Sequence, residues 1–234
     1  MIDSKPYNPN DYDRPSVTVD VVLFTILDGA LQVLLIKRKQ EPFAGQWAFP
    51  GGFVSITESL DDAAYRELQE ETGIARDAVY LEQLYTFGEP NRDPRMRIIT
   101  VAYFALVGAD KIPQLRGGDD AAEARWFSAY NPPPLAFDHS EILAYAITRL
   151  RYKLEYSAVG FQLLPETFTL RELQQAYEIV LDEKLDKRNF RNKLRRADVV
   201  EPTPQFHGSG GRPARLYRFK ADAVAEVKTR RLFP

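Results

Sequence analysis

Three glutamates, Glu67, Glu70 and Glu71, are spaced so that their carboxylates can act together. In a helix from Ser59 to Thr72 they fall at positions i, i+3 and i+4 and therefore lie on one face. Three like charges on one face repel each other, and a hard divalent cation would offset that repulsion. Because clustered carboxylate oxygens suit Mg²⁺ or Mn²⁺, the spacing predicts a metal site. The alternative interpretation is a solvated acidic helix face.

The residues around the glutamates predict the elements that position them. Ser59 is a candidate N-cap, Gly73 is a candidate left-handed residue after the last turn, and an apolar stripe between them would dock the helix. The preceding residues 47–52 (WAFPGG) predict a strand that ends in a glycine loop. The bare backbone of Gly51 and Gly52 can approach a metal or a phosphate closely. Strand, glycine loop and acidic helix in this order indicate metal-assisted attack on a phosphate.

The segment from Gly52 to Ile74 (GFVSITESLDDAAYRELQEETGI) resembles the Nudix box at every defined position. Those positions are Gly52, Glu58, Arg66, Glu67, Leu68, Glu70, Glu71, Gly73 and Ile74. The resemblance implies a Nudix α/β/α sandwich that hydrolyses a nucleoside diphosphate linked to another group. It implies that the catalytic residues are Arg66, Glu67, Glu70 and Glu71. The metal ligands would be Glu67, Glu70, Glu71 and the carbonyl of Gly51.

The same resemblance implies supporting roles for two further side chains of the box. Arg66 would orient a carboxylate through charge-assisted hydrogen bonds. Glu58 would anchor the loop or reach the metal through water. The spacing of the box does not assign a general base.

A proline-rich loop follows the box at residues 87–95 (FGEPNRDPR). Pro90 and the R-D-P-R sequence after it look like the ADP-ribose-hydrolysing Nudix group, which implies cleavage of ADP-ribose to AMP and ribose 5-phosphate. Prolines stiffen the loop, and arginines offer forked donors to a diphosphate. The predicted substrate-binding residues are Gly52, Arg92, Arg95 and Arg97. The alternative is an ordinary surface turn with salt bridges.

A second acidic turn precedes the Trp126-Phe127 sequence. Its residues are Asp119, Asp120 and Glu123. One of these carboxylates would supply an additional metal ligand or a base, or the turn is a solvated loop.

Composition places the chain among proteins with well-formed cores. It has 234 residues, of which 44% are hydrophobic and 12% aromatic, and it has no cysteine, so disulfides and thiolate metal sites are excluded. No apolar run approaches the length that spans a bilayer, and we expect a cytoplasmic protein without membrane contact. The net charge of −2 is uneven: residues 157–234 carry +5 and the remainder −7. Two modules with different partners are indicated.

The first module is predicted to be α/β (α+β), a Nudix domain over residues 16–155 after an N-terminal arm at 1–15. Strands at 16–27 and 31–37 flank an Asp28-Gly29 hairpin turn. Further strands are predicted at 48–49, 79–87, 97–106 and 125–127. An apolar helical period from His139 to Leu154 predicts the helix that closes the domain.

The second module, residues 156–234, resembles a winged helix-turn-helix DNA-binding domain. The pattern predicts a helix at 169–181, a turn at 182–185, a basic helix at 187–196, and two strands around a flexible tip at 207–211. The segment from Lys187 to Arg218 contains nine lysines and arginines and two acidic residues. The predicted DNA-binding residues are Lys187, Arg188, Asn189, Arg191, Asn192, Arg195, Arg212 and Arg215. Their charges would neutralise phosphates, and arginine and asparagine read base edges. A solvated basic helix or a dimerisation surface is the alternative.

A Nudix domain joined to a winged helix resembles the Nudix-related transcriptional regulators of NAD metabolism. Residues 186–191 (DKRNFR) and 211–217 (GRPARLY) look like the recognition helix and the wing of that family. Three hypotheses follow. The protein is a homodimeric regulator that binds a double-stranded DNA operator and hydrolyses ADP-ribose. Alternatively, it is an ADP-ribose pyrophosphatase whose second domain serves dimerisation, or a sensor that binds ADP-ribose without hydrolysing it.

Overall fold

The described residues form one large mixed sheet in the first part of the chain. A computed structural model describes residues 8, 11–113, 121–157, 159–208 and 213–220. The strands of this sheet are β1 (Ser16–Leu27), β2 (Ala30–Arg38), β3 (Trp47–Ala48), β4 (Gly51–Phe53), β5 (Val79–Phe87), β6 (Ile98–Val107) and β7 (Ala121–Ser128). Their order is β3-β2-β1-β6-β5, with β4 paired to β1 and β7 paired to β2. The central β1–β6 pair is parallel and the other pairs are antiparallel.

The predicted hairpin between β1 and β2 is confirmed. Asp28 and Gly29 both have positive φ angles, 51° and 73°. Two left-handed residues in a two-residue connection match the right-handed twist of the flanking strands. The chain therefore reverses directly between β1 and β2. In the strand order of the sheet, β1 lies in the middle.

Helices cover both faces of the sheet, which confirms the predicted α/β/α sandwich. The alternate residues Val19, Val21 and Leu23 of β1 pack in one apolar cluster with α1 (Leu60–Thr72). The intervening Val22 and Phe24 pack in a second cluster with α2 (His139–Tyr156). Successive strand residues point to opposite faces, so one apolar run fills both layers.

The second part of the chain forms the predicted helix-turn-helix and two-stranded wing. Its elements are α3 (Leu170–Leu181), α4 (Lys187–Ala197), β8 (Val200–His207) and β9 (Ala214–Phe219). Thr169 begins α3 with a reciprocal capping box to Glu172, and the left-handed Asp182 ends the helix. Tyr177 of α3 packs edge-on against Phe190 of α4, which fixes the two helices together.

One apolar cluster runs from α2 through a 3₁₀ turn at Val159–Leu163 into α3. The two parts of the chain therefore share packing at their junction. We propose that the boundary between the two predicted domains lies near residue 155, because α2 ends at Tyr156 and the helix-turn-helix elements follow it.

Two details differ from the predictions. Gly51 and Gly52 are not in a loop, because they begin β4, which pairs with β1 through Asp20 and Val19. The strand predicted at 125–127 is longer, because β7 pairs with β2 along most of its length. Several predicted features lie outside the described residues, namely Asp119, Asp120, Arg212, residues 209–211 of the tip and most of the N-terminal arm. Among the helices that are described, none is long and apolar enough to cross a membrane.

Candidate functional site

Helix α1 presents its glutamates as predicted. Ser59 caps the N-terminus by accepting a hydrogen bond from the Asp62 N–H at 3.1 Å. Gly73 ends the helix with a φ of 77°, a value that favours glycine. Ala63, Ala64 and Leu68 are buried against the sheet. The caps and the apolar stripe together fix the direction in which the carboxylates point.

The guanidinium of Arg66 connects the carboxylates of the box. It forms a forked pair with Glu58, with Nε–Oε2 and Nη2–Oε1 distances of 3.0 and 2.8 Å. Its Nη1 donates to Glu67 at 2.8 Å and to Glu70 at 3.1 Å. Glu58 also accepts from the Ser55 N–H, and the hydrogen bonds from Arg66 and Ser55 lower the pKa of Glu58 to about 2. Glu58 thus anchors the loop before α1 and stays ionised.

Glu67 and Glu71 face the interior, whereas Glu70 faces solvent. The Glu71 carboxylate is buried and accepts a hydrogen bond from the Gly51 N–H at 2.9 Å. The Glu67 side chain is 12% exposed and that of Glu70 is 61% exposed. Burial raises the pKa of Glu67, although the hydrogen bond from Arg66 acts in the opposite direction. A carboxylate that is desolvated in this way gains from a cationic partner.

The donor set fits a hard divalent cation. Glu67, Glu71 and Gly51 border the same cleft, and all of them offer oxygen atoms. In the part of the chain that the structure describes, no three ligand-type side chains converge as a complete metal site. Glu67 and Glu70 both accept hydrogen bonds from Arg66 Nη1, whereas Glu71 accepts from the Gly51 N–H. Glu70 is exposed and outside the cleft lining, so a site made from all three carboxylates would require Glu70 to turn towards the cleft.

The two glycines of β4 are needed for different reasons, which gives a first prediction. A Cβ on Gly51 would lie 2.2 Å from the Val19 carbonyl oxygen, and one on Gly52 would lie 2.3 Å from Glu67 Oε1. The Val19 backbone next to Gly51 cannot move easily, whereas the Glu67 carboxylate next to Gly52 can rotate away. We expect Gly51→Ala to lower the free energy of unfolding by about 2 kcal/mol or more. Gly52→Ala should unfold nearly like wild type in urea but displace Glu67. Equal destabilisation by the two changes would contradict this assignment.

The cleft has a volume of about 250 Å³, and its lining combines two kinds of chemistry. Glu67 and Glu71 contribute carboxylates. Arginine and aromatic side chains border the same cleft. Arg95 makes a forked pair with Asp93 and lies 5.2 Å from the Phe53 ring centroid and 5.7 Å from that of Phe137.

Two of the three predicted substrate-binding arginines border this cleft, together with Gly52. Arg95 is partly exposed there. Arg92 is only 4% exposed and makes a forked pair with Asp138 at 2.8 and 2.6 Å. Arg97 instead donates to the Gly88 carbonyl and lies outside the cleft lining. Arg92 and Arg95 therefore border the cleft and Arg97 does not, and the phosphate-binding roles of all three arginines remain predictions.

A buried polar network under the cleft was not anticipated from sequence. Asp20 accepts a hydrogen bond from Thr100 at 2.7 Å and lies 3.5 Å from His139 Nε2. His139 Nδ1 accepts from the Phe49 N–H at 3.0 Å, and the two rings stack. The signal for this network was a single aspartate inside the apolar run of β1, since a charge in a buried strand needs partners.

The network gives a pH prediction. Burial lowers the pKa of His139, and the Asp20 charge only partly opposes this effect. A neutral buried histidine stabilises the fold above its unfolded pKa of about 6.5, and the contribution is lost as the pH falls through the lower folded value. In His139→Asn, the side-chain carbonyl can still accept from Phe49. Between pH 7 and pH 5, we expect the free energy of unfolding to fall less in His139→Asn than in wild type. The difference between the two proteins should be up to about 1.4 kcal/mol per pH unit. Urea titrations of both proteins at several pH values measure this difference. The prediction would be contradicted if the free energy of unfolding changed equally with pH in wild type and in His139→Asn.

Of the predicted second acidic turn, only Glu123 is described, and the prediction is wrong for this residue because Glu123 lies within β7, opposite Lys37 of β2. Its carboxylate pairs with Arg125 on the same strand. This pairing favours the solvated interpretation for that residue. Any role of the turn in metal binding or base catalysis remains a prediction.

Helix α4 exposes a basic face. Phe190 and Leu194 are buried, while five of the predicted DNA-binding residues on the helix are exposed and one is half-buried. The exposed residues are Lys187, Arg188, Asn189, Arg191 and Arg195, and the half-buried residue is Asn192. Arg215 is exposed on β9 of the wing. The cationic groups therefore lie on the side of the helix-turn-helix that faces solvent.

Comparison with known proteins matches both parts of the chain. Residues 17–146 match the NUDIX domain and residues 160–219 match the NrtR DNA-binding winged helix domain. A relative from Acinetobacter baylyi, named ADPR responsive transcriptional repressor NtrR, is 42% identical over 91% of this chain and 85% of its own length. The chain belongs to the NrtR group of Nudix proteins.

Solved structures of the NrtR group agree with this assignment. Shewanella oneidensis NrtR complexed with a 27mer DNA has a TM-score of 0.80 and 36% identity, and the match covers 93% of this chain and 99% of that one. The NUDIX domain of the same protein complexed with ADP ribose has a TM-score of 0.55 at 36% identity, covering 62% and 94% of the two chains. The predicted fusion of a Nudix domain and a winged helix is confirmed.

Proposed function

We propose that the protein is an ADP-ribose-responsive transcriptional repressor of NAD metabolism that also hydrolyses its effector. ADP-ribose binds in the cleft of the Nudix domain, and α4 with the wing binds a double-stranded DNA operator. The observation that carries this proposal is the presence in one chain of a cleft lined by Glu67 and Glu71 and of an exposed basic helix in the winged-helix domain. Two relatives support it: the Acinetobacter baylyi protein is named an ADPR responsive transcriptional repressor, and Shewanella oneidensis NrtR has a structure in complex with DNA. A homodimer would match a two-fold operator.

The lining of the cleft offers partners for two groups of ADP-ribose. The guanidinium of Arg95 already makes a forked pair with the Asp93 carboxylate, and the same geometry suits the diphosphate. The Phe53 and Phe137 rings lie beside Arg95 in the same cleft and suit the flat face of adenine. Arg38 lies 4.8 Å from the Phe137 ring centroid and adds positive charge there.

Hydrolysis would use the carboxylates that border the cleft. Bound Mg²⁺ or Mn²⁺ supplies Lewis-acid polarisation of the diphosphate and a more acidic water. Glu67, Glu70, Glu71 and the carbonyl of Gly51 are the residues that would hold the cation. Arg66 fixes the loop through Glu58 and donates to Glu67 at the cleft, so the Glu67 carboxylate is preorganised. The products are AMP and ribose 5-phosphate.

DNA binding follows from the exposed charge of α4. Arg188, Arg191 and Arg195 recur at spacings of three and four residues and so lie along one exposed side of the helix. Guanidinium groups in such a row neutralise phosphates and reach guanine edges, while Asn189 can pair with adenine. Asp186 caps the helix by accepting from the Asn189 N–H at 2.7 Å, which fixes the end that enters the groove.

Two alternatives make different predictions in one experiment. The full-length protein is incubated with a panel of nucleoside diphosphate derivatives and Mg²⁺, and products are identified by mass spectrometry. In parallel, its binding to DNA selected from a random pool is measured by gel shift. Turnover of ADP-ribose together with a DNA shift supports the proposal. Turnover without specific DNA binding indicates a pyrophosphatase, and DNA binding with ADP-ribose bound but intact indicates a sensor without catalysis.

A further inference from the structure

The two domains meet at the C-terminal end of α3, where two Nudix side chains donate to α3 carbonyl groups. The Tyr130 hydroxyl donates to the Val180 carbonyl at 2.7 Å and lies 3.3 Å from that of Ile179. Arg151 Nε donates to the same Val180 carbonyl at 3.1 Å. The Arg151 guanidinium also lies 5.3 Å from the Tyr130 ring centroid. We call Tyr130 and Arg151 the clamp.

The clamp acts where a helix needs external partners. The last four carbonyl groups of an α-helix have no donor within the helix, and their partial negative charge favours a cation. At the end of α3, the N–H groups of Asp182 and Glu183 both donate to the Glu178 carbonyl. The clamp serves the next two carbonyl groups. The end of α3 is therefore held by the Nudix domain.

The end of α3 is in turn tied to the recognition helix. The Glu178 carboxylate accepts hydrogen bonds from the Leu185 N–H at 3.1 Å and from Gln174 at 2.8 Å. Asp186 follows at once as the N-cap of α4. Because this short turn is fixed by hydrogen bonds, displacement of α3 carries α4 with it.

The other side of the clamp leads to the nucleotide cleft. Tyr130 begins a segment that reaches Phe137 and His139, both of which border the cleft. Between these two lies Asp138, which holds Arg92. Helix α2 starts at His139 and carries Arg151 twelve residues later, about 18 Å along the helix axis. Both clamp residues therefore belong to elements that begin or end at the cleft.

We propose that the clamp transmits occupancy of the cleft to the recognition helix; this inference rests on the function proposed above. A diphosphate in the cleft competes with Asp138 for the guanidinium of Arg92, because both are anions that accept charge-assisted hydrogen bonds. Release of Asp138 frees the start of α2 and the segment that holds Tyr130. The clamp then shifts on Val180 and reorients α4. The effector changes DNA affinity only to the extent that it binds one arrangement of the clamp and α3 more tightly than the other.

The test compares two double variants of the full-length protein. Tyr130→Phe with Arg151→Met removes both donors to Val180 and keeps the side-chain bulk. The matched control is Tyr152→Phe with Arg149→Met, since Tyr152 is exposed on the same helix and Arg149 pairs with Glu82 on the sheet. ADP-ribose affinity is measured by calorimetry, and DNA affinity by anisotropy with and without a methylene analogue of ADP-ribose that resists hydrolysis.

Wild type and the control should show a change in DNA affinity of about fivefold or more on adding the analogue. The clamp variant should bind ADP-ribose as wild type does but show less than about a twofold change in DNA affinity. A clamp variant that keeps the full response overturns the inference and leaves the proposed function standing. A wild-type protein that binds ADP-ribose and DNA without any response overturns both.

A second measurement keeps the inference testable if the clamp variant does not fold. Hydrogen exchange of the wild-type protein is followed with and without the analogue. The inference predicts altered protection both in residues 129–138 and in residues 181–186. Altered protection confined to the cleft, with residues 181–186 unchanged, would overturn it.

Discussion

Replacing Glu67 with Gln is expected to reduce ADP-ribose hydrolysis by about a thousandfold, equivalent to about 4 kcal/mol of transition-state stabilisation. Glutamine keeps the volume and can still accept the hydrogen bond from Arg66, so the loop and helix should be retained. The change removes a buried negative charge at the cleft, on a carboxylate whose pKa is raised by burial. Initial rates at saturating Mg²⁺ give the size of the loss.

Two controls separate a loss of chemistry from a loss of structure. Glu166→Gln changes an exposed glutamate in the winged-helix domain and should leave hydrolysis unaltered. DNA binding by Glu67→Gln in the absence of nucleotide should match wild type, because α4 lies in the other domain. Hydrolysis by Glu67→Gln within tenfold of wild type would remove Glu67 from the catalytic set.

The second large effect is expected in DNA binding. The double change Arg191→Ala and Arg195→Ala removes two exposed cations from one side of α4. Log affinity falls with log salt, and each lost phosphate contact makes this negative slope shallower by about 0.9, so we expect the slope to become less negative by about 2 in total. At low salt the affinity should fall about 10- to 100-fold. Anisotropy titrations at several salt concentrations measure both quantities.

The matched control removes the same charge elsewhere. Arg76 and Arg125 are exposed arginines of the Nudix domain that pair with Asp62 and Glu123. Changing both to Ala alters the net charge equally but should leave the salt slope unchanged. If the two double variants weakened DNA binding to the same extent, the effect would come from overall charge and α4 would lose its assigned role.

Local sequence signals predicted the fold well because each of them has a short-range physical cause. Ser59 and Gly73 set the ends of α1 through a cap and a left-handed residue. Asp28 and Gly29 specified the hairpin by their positive φ angles. The helical apolar period that begins at His139 specified the start of α2. These rules operate within a few residues and can be read directly from the chain.

The contacts inside the site were harder to predict because they join distant parts of the chain. Asp20, Arg92 and His139 come from β1, a loop and α2, and no spacing rule relates them. The sequence predicts a loop at Gly51 and Gly52, because local signals do not reveal the long-range pairing of these residues with β1. Similarly, only the structure shows that Glu70 points away from the cleft while Glu67 and Glu71 face it.

The most direct test titrates the methylene analogue of ADP-ribose, with Mg²⁺ present, into the wild-type protein bound to DNA selected from a random pool. Anisotropy then reports DNA affinity in a single chain whose cleft and recognition helix are both intact. We expect a saturable change of about fivefold or more that is absent when adenosine is added instead. DNA affinity that stays constant while calorimetry shows the analogue bound would contradict a regulator that responds to ADP-ribose.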